Sequence, residues 1–322
     1  MAEFIQVSNV EDGTRLLRWF LRHFPSMPQR EFYKLCRGGQ IRVNSKRVRG
    51  QEILRTDDMI RVPPTIMGYA VARKKTESGE LFSLTDLENL RKCIIHNDAD
   101  IVVFNKPAGL AVQGGTGIKK SVDKMAAALF PYDKISLVHR LDKETSGLLV
   151  VAKSQRAAQI LSEQFQSKIA HKEYLALLNG DVNPRAGTID NYMLKGQVFD
   201  EPTRLNKGAG PRPQRAITEY KVLGSAAGCV SWVWFSPKTG RTHQLRLHSA
   251  YSLGAPIVGD SLYAVRSNTG GALCSMLETN NLFLFAYKLT FQHPATGRLI
   301  TLRAAVPEFM QPVMKLLELK LP

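Results

Sequence analysis

The sequence predicts an α+β protein in two parts: a small α/β domain over residues 1–62, then a mixed, largely antiparallel β-sheet domain with flanking helices over 92–322. Three observations predict it. Two amphipathic helical runs and a hairpin-like pair crowd into the first 62 residues. A stretch over 63–91, opening on Pro63-Pro64, keeps no sustained period and reads as a linker. From Lys92 onward, strand-like runs alternate with helical segments, and most connections look like hairpins instead of crossovers.

In chain order, the first helix runs from Arg15 to Phe24, where Leu16, Leu17, Phe20, Leu21 and Phe24 recur at helical spacing and Arg15, Arg18 and Arg22 take the other face. Pro25 and Pro28 end it. A second helix follows in Arg30 to Arg37, with Phe32, Leu35 and Cys36 on one face, and Gly38-Gly39 breaks it. Ile41-Arg42-Val43 and Lys46-Arg47-Val48 flank Asn44-Ser45 as a short hairpin would, and Asp57-Asp58 precedes the strand-like Met59 to Val62. From Thr14 to Gly50 there are ten Lys or Arg and one acid, Glu31. A charge asymmetry of this kind is either a solvated face or a surface for a polyanion. Two helices and a hairpin with GGQIRVNSKRV at their end resemble the S4 RNA-binding module, and the resemblance implies RNA contacts from Arg15, Arg18, Arg22, Arg37, Arg42, Lys46 and Arg47. Beyond the linker, Ile101 to Phe104, Leu148 to Ala152, Tyr174 to Leu178 and Leu282 to Ala286 read as strands.

Composition narrows the function classes. The 322 residues are 44% apolar, enough for a real core, and 44 Lys plus Arg against 28 acids leave a formal charge of +16. A balance so basic favours a polyanionic partner, nucleic acid first. No apolar run approaches the ~18 residues of a spanning helix, so no membrane partner is expected. The opening MAEFIQVSNVEDG carries Glu3, Glu11 and Asp12 before its first Arg, unlike a secretory or transit leader, and a cytoplasmic location is expected. Cys36, Cys93, Cys229 and Cys274 are too scattered for paired zinc ligands or a disulfide framework, and read as reduced and mostly buried.

Asp142 sits in the polar run His139-Arg140-Leu141-Asp142-Lys143-Glu144-Thr145-Ser146-Gly147, a loop between the strand-like Ile135 to Val138 and Leu148 to Ala152. Loops held between rigid elements commonly carry catalytic groups, although His-Arg beside an Asp in isolation is more often a structural ion pair. The wider context carries more. HRLDKETSGLLVVAKS, with Asn105-Lys106-Pro107-Ala108-Gly109-Leu110 and Val112-Gln113-Gly114-Gly115 before it and His171-Lys172-Glu173-Tyr174, the segment Thr239 to His248 and His293-Pro294-Ala295-Thr296-Gly297 after it, resembles the RluA family of pseudouridine synthases. With the S4-like segment the likeness spans nearly the whole chain and is nearest the RluC-like large-subunit ribosomal RNA enzymes.

The resemblance implies an enzyme that turns uridine in RNA, expected to be large-subunit ribosomal RNA, into pseudouridine, with no cofactor, no metal and no obligate protein partner. It implies that Asp142 is the catalytic carboxylate, acting as a nucleophile at C1′ or as a base at C2′. It gives Arg246 the role of the cation that keeps Asp142 ionised, with Arg241 the alternative holder of that role or a phosphate contact. It makes Tyr174 the ring that stacks on the target base, Arg140 the wedge that fills the gap left by an extruded nucleotide, and His139 beside it a further RNA contact. Locally, Thr242 as N-cap, Gly254 as C′ and Pro256 as a stop place Arg246 in the early turns of a helix.

Other readings fall short. Gly114 to Ser121 lacks the Gly directly before Lys-Ser that a P-loop requires. Asp142, Ser146 and His139 or His243 lack the G-x-S-x-G elbow of a hydrolase. A non-catalytic RNA-binding protein would have no need of Asp142, Tyr174 and Arg246 together. The RsuA-type synthases differ in opening their signature with GRLD and in their third motif.

Overall fold

The computed structural model describes residues 3–7, 11–24, 27–67, 82–115, 117–201, 212–226, 228–263 and 281–322. Pro25, Thr116, Cys274, the linker residues Arg73-Lys74-Lys75 and Ser78-Gly79, and the side chain of Arg22 lie outside the described residues. The chain divides into two compact units, Met1–Ser83 and Leu84–Pro322.

The first unit contains β1 (Glu3–Gln6), α1 (Leu16–His23), α2 (Gln29–Arg37), β2 (Arg42–Val43), β3 (Lys46–Arg47), β4 (Met59–Val62) and α3 (Pro64–Met67). Leu16, Phe20 and Phe24 fall on one face at helical spacing and are buried in one core with Phe32 and Leu35 of α2. Trp19 lies outside the predicted stripe, yet it is fully buried and stacks on His23 with ring centroids 3.9 Å apart. Between β2 and β3 the chain turns at Asn44 (φ 49°) and Ser45 (φ 65°), and two positive φ values in succession suit the strand twist of a tight hairpin. β1 pairs antiparallel with β4 and completes a sheet of order β1-β4-β2-β3.

The stretch read as a linker is helical at both ends. Ile66 of α3 joins the core of the first unit, and α4 (Leu84–Lys92) opens the second with Leu90 buried. α3 is only four residues long, and α4 buries Leu90 alone, so neither shows the apolar stripe that marked the first two helices.

The second unit continues with β5 (Ile94–Asn97), β6 (Ile101–Lys106), α5 (Val122–Leu129), β7 (Ser136–Leu137), β8 (Ser146–Ala152), α6 (Gln155–Gln166), β9 (His171–Asn179), β10 (Ala186–Leu194), β11 (Gln197–Phe199), β12 (Gln214–Ala226), β13 (Val230–Pro237), α7 (Gln244–Leu247), β14 (Leu284–Gln292), β15 (Leu299–Arg303) and α8 (Gln311–Leu316). One sheet runs β11-β10-β12-β13-β9-β14-β8-β6-β5, with β15 on β14 and β7 on β8. Its pairings are antiparallel apart from β8 with β14. The largely antiparallel architecture is therefore the one expected, with a single parallel seam.

That seam positions the site. All seven residues of β8 are buried, which is why its sequence reads as a continuous apolar run and not as an alternation. Gly147, at φ +105°, lies opposite Ala286 of β14, and a Cβ there would collide with the Ala286 backbone. No larger residue lets the two strands approach so closely.

Candidate active site

The loop His139–Thr145 leads from β7 into β8, and three anchors hold it. His139 turns inward: its Nε2 accepts the Val150 N–H at 3.0 Å, and its ring stacks on Phe165 of α6 with centroids 4.5 Å apart. Burial, helped by the charge of Lys172, lowers the His139 pKa to about 3. The ring is neutral, and with Nε2 accepting, its proton resides on Nδ1, a shielded atom without a partner among the described residues. Leu141 is the second anchor and is buried. The third is Lys106, at the end of β6, whose ammonium donates to the carbonyls of Pro107 (2.9 Å), Leu110 (2.9 Å) and Lys143 (3.0 Å). Burial pulls its pKa down to about 7, against the opposing charges of Glu144 and Asp142. Lys106 thus ties the Asn105–Leu110 motif to the loop immediately after Asp142.

Asp142 itself is half-buried, and its carboxylate makes no hydrogen bond or ion pair among the described residues. It opens onto a cavity of about 180 Å³ walled by Tyr174, Lys172, Thr239, Arg241, Leu245 and Arg246. Pockets that engulf a drug-sized ligand measure roughly 300–1,000 Å³, so this one suits part of a nucleotide while the phosphates stay outside. Tyr174 comes from β9, buried between β13 and β14. Burial first, and then the charge of Asp142, push its phenol pKa up, so it is a neutral hydroxyl-bearing ring. In β14 the register slips between Ala286 and Lys288, opposite Tyr174 and Glu173, the kind of bulge that re-aims side chains beside active sites.

Arg246 is the third residue of α7. The helix starts one residue later than predicted: His243, in the left-handed region at φ 55°, is its N-cap in place of Thr242, while Gly254 has the expected positive φ of 63°. The helix continues as a π-turn over His248–Ser252. The expected cation is present on the cavity wall, but its fork does not clasp Asp142. Nε and Nη2 of Arg246 donate to Asp260 at 2.7 and 2.6 Å, both side chains being almost wholly buried. Asp260 Oδ1 also accepts the backbone N–H groups of Leu262 and Tyr263. Burial alone would lower the Arg246 pKa, but the hydrogen bonds and charge of Asp260, together with the charge of Asp142, raise it. The guanidinium lies over the Tyr263 ring at 5.2 Å. Sequence reasoning missed Asp260, and the available signal was the general one that a buried arginine requires a carboxylate.

Arg241 reaches the other way. Its Nε donates to the Arg215 carbonyl at 3.0 Å and its Nη1 to Gln214 Oε1 at 2.8 Å, so it buttresses β12 at the rim. The segment between the two arginines is fixed by a buried polar network. Gln244 accepts from Thr239 Oγ1 (2.8 Å) and the Arg241 N–H (2.9 Å) and donates to Thr218 Oγ1 (2.9 Å), which in turn bonds His248 Nδ1 (2.9 Å). Burial lowers the His248 pKa to about 4, so the network is uncharged.

Arg140 is exposed beside the loop, and its side chain makes no hydrogen bond or ion pair among the described residues. His139 does not share that exposure; with its ring turned inward it is a loop anchor and not a surface contact for RNA. In the first unit Arg15, Arg18, Arg37, Lys46 and Arg47 are exposed, whereas Arg42 is half-buried and donates to the carbonyls of Gly39 (3.1 Å) and Ser45 (3.3 Å). Asp98, Asp100 and His293 bring three potential metal-ligand atoms within 4.8 Å of one another. Asp98 is already occupied there by His96, His293 and two backbone N–H groups, and none of the three lines the cavity.

Residues 100–251 match the family model described as RNA pseudouridylate synthase. The chain is 33% identical over 315 residues to ribosomal large subunit pseudouridine synthase C of Vibrio vulnificus (strain CMCP6), covering 97% of this chain and 96% of that one. It is 33% identical over 310 residues to the protein of the same name from Escherichia coli (strain K12), covering 95% and 93%. Among solved structures it is similar to human RNA pseudouridylate synthase domain containing 4, with a TM-score of 0.59 and 28% identity over 73% of this chain and 97% of that one. Human RNA pseudouridylate synthase domain containing 1 gives 0.54 and 28% over 71% and 89%. Among the described residues, no helix is long and apolar enough to cross a membrane.

Proposed function

Because this chain belongs to the RNA pseudouridylate synthase family and isomerises uridine to pseudouridine in RNA, we propose that its substrate is large-subunit ribosomal RNA and that Asp142 is the carboxylate that starts the reaction. The observation that carries the second part is the state of Asp142: a half-buried carboxylate with no partner of its own among the described residues, facing a cavity lined by an aromatic ring and a buried arginine. A structural aspartate in that position would be paired.

The net reaction moves one bond. The N1–C1′ bond of uridine breaks, the base turns while held, C5 bonds to C1′, the C5 hydrogen leaves as a proton and N1 gains one. A carboxylate can begin it by attacking C1′ or by taking the C2′ proton, and both need it charged and aimed at the sugar. Arg246, held in one rotamer by Asp260, supplies positive charge behind the carboxylate without neutralising it by direct pairing. Tyr174 offers a ring for the base to stack on, worth ~1–3 kcal/mol. Arg140, exposed next to the loop and without a side-chain partner among the described residues, is suited to fill the stack from which the nucleotide swings, offsetting the few kcal/mol that unstacking costs.

For binding, the exposed basic residues Arg15, Arg18, Arg37, Lys46 and Arg47 make the first unit an S4-like RNA contact, with Arg241 at the cavity rim as a phosphate contact. The names of the bacterial relatives support the ribosomal substrate. The test is conversion of an unmodified large-subunit ribosomal RNA transcript by the purified protein, read as pseudouridine at single-nucleotide resolution, with Asp142→Asn in parallel. Pseudouridine at discrete positions with the native chain and none with the variant is the expected result. No conversion of that transcript removes the assigned substrate, and turnover by the variant removes the assigned carboxylate.

A further inference from the structure

One cation on the cavity wall has no task in the scheme above. Lys172 lies two residues before Tyr174 on β9, so both side chains leave the strand on the same face, and both line the cavity. The acid between them, Glu173, points away: it accepts from Trp234 Nε1 at 2.8 Å and pairs with Lys288 at 2.8 Å. It is not the counterion of Lys172. The Lys172 ammonium has no hydrogen bond or ion pair among the described residues. Two observations locate it: a Cβ built on Gly240 would lie 3.7 Å from Nζ, and its charge is one cause of the lowered His139 pKa. Of the three arginines that line the cavity, Arg246 is engaged by Asp260 and Arg241 by Arg215 and Gln214, while Arg140 is exposed at its edge and is the one proposed above to fill the vacated stack.

We propose that Lys172 is a further catalytic residue, whose ammonium donates to a carbonyl oxygen of the extruded uracil and stabilises the negative charge on the base while it is detached from the sugar. This rests on the reading of the cavity as the uridine site. When the N1–C1′ bond breaks and its electron pair stays on nitrogen, the free uracil is an anion delocalised over N1, C5 and both carbonyl oxygens. C5 then donates a pair to C1′, the C5 proton leaves and N1 is protonated, so charge appears on the oxygens only between the two bonds. A cation placed there strengthens its contact on the way to the transition state, which is the condition for catalysis as opposed to tighter binding. The residue type fits the motion. An ammonium is a compact charge with three rotatable donors, whereas a guanidinium fork fixes one orientation; a base that must turn while held is served by the first.

The same ammonium would also suit a backbone phosphate, and the experiment separates the two. Lys172→Met and Lys172→Arg are compared with the native chain at the positions the native chain converts in the transcript. Single-turnover rates are measured with enzyme in excess, and RNA affinity is measured at several salt concentrations. Expected are a fall on the order of 10²–10³-fold in the single-turnover rate for Lys172→Met, partial recovery in Lys172→Arg, and unchanged affinity and salt slope in both. Weakened affinity and a salt slope flatter by roughly 0.7–0.9, with the rate kept, would mean a phosphate contact and overturn the proposal. No change in any of the three would make Lys172 a packing residue and overturn it equally. Should circular dichroism find Lys172→Met unfolded, Lys172→Gln replaces it, and a full rate there has the same force. A native chain that converts nothing sinks the uridine-site reading instead, and so the two failures are distinguishable.

Discussion

Replacing Asp260 with Asn is the sharpest probe of how the site is built, because it removes one charge and almost no volume. In the native chain the Asp260 carboxylate accepts four hydrogen bonds, two from Arg246 and two from backbone N–H groups, with the Arg246 side chain 4% exposed and that of Asp260 0%. Asparagine keeps one oxygen for Leu262, Tyr263 and Arg246 Nη2 but turns an NH₂ toward Arg246 Nε, leaving a buried cation facing another donor. Breaking such a pair from one side costs ~3–5 kcal/mol. For a cooperative unit of this size each kcal/mol shifts the midpoint by roughly 2–4 °C, so the thermal midpoint should fall by roughly 6–20 °C. The assay is scanning calorimetry, paired with single-turnover isomerisation below the lowered midpoint. Activity should fall further than stability does, since Arg246 loses the rotamer that directs its charge toward Asp142. The double variant Asp260→Leu with Arg246→Met should be more stable than Asp260→Asn while remaining inactive, because the cost lies in the orphaned charge and not in the missing bridge. A midpoint within about 2 °C of native for Asp260→Asn would refute the reasoning.

Asp142→Asn is expected to keep RNA affinity within about twofold while abolishing isomerisation, checked by filter binding and pseudouridine mapping; a comparable loss of affinity would make the aspartate a binding residue. Neutralising Arg15, Arg18, Lys46 and Arg47 together to Gln should weaken RNA binding and flatten its salt slope, since counterion release scales with phosphates contacted, and an identical slope would remove the first unit from the interface. Gly147→Ala should cost more than ~1 kcal/mol in denaturant unfolding, because it combines a positive φ with a backbone collision; a neutral effect would mean the β8–β14 seam can spread. Acid should act through His248, fully buried with a pKa lowered to about 4. The unfolded chain, with its histidine near ~6.5, takes up the proton first. The contribution is therefore intact above that value and declines as pH falls toward 4, by on the order of 3 kcal/mol. His139, lowered to about 3 by burial, loses stability over the same range, so denaturant midpoints from pH 7 to 4 should fall with both histidines and His248→Gln should show a shallower slope, whereas an equal slope in the native chain and the variant would assign the loss elsewhere. Asp98, held near 2 by hydrogen bonds that overcome its burial, acts only at lower pH.

What the sequence discloses and what it hides follow from the range of each signal. The helices α1 and α2 and the β2–β3 turn are local patterns, an apolar stripe every three or four residues and an Asn-Ser between short strands, and they lie within a residue or two of expectation. The His139–Thr145 loop was legible for the same reason, flanked by runs whose burial shows in their composition. β1 escaped notice because Phe4 is 57% exposed, leaving no alternation, and because its partner is β4, more than fifty residues on. Lys106 reads as one more surface lysine; only the fold reveals that its ammonium is buried among three carbonyls. Asp260 pairs with an arginine fourteen residues earlier across an irregular turn, a distance no period spans. His139 was misplaced because a histidine beside an exposed arginine looks like its companion, although the loop sends the two side chains in opposite directions.

The parallel seam also has a consequence in time. The strand that carries the loop of Asp142 into the sheet begins at Ser146, and its neighbour across the seam begins at Leu284, with Phe285 opposite Ser146. A growing polypeptide, lengthening by ~5–20 residues per second, therefore exposes the aspartate's loop for many seconds before the strand that seats it has been made. During that interval the first unit has everything its own core requires. If the first unit contacts RNA as proposed, the newborn chain can hold RNA before it can alter it.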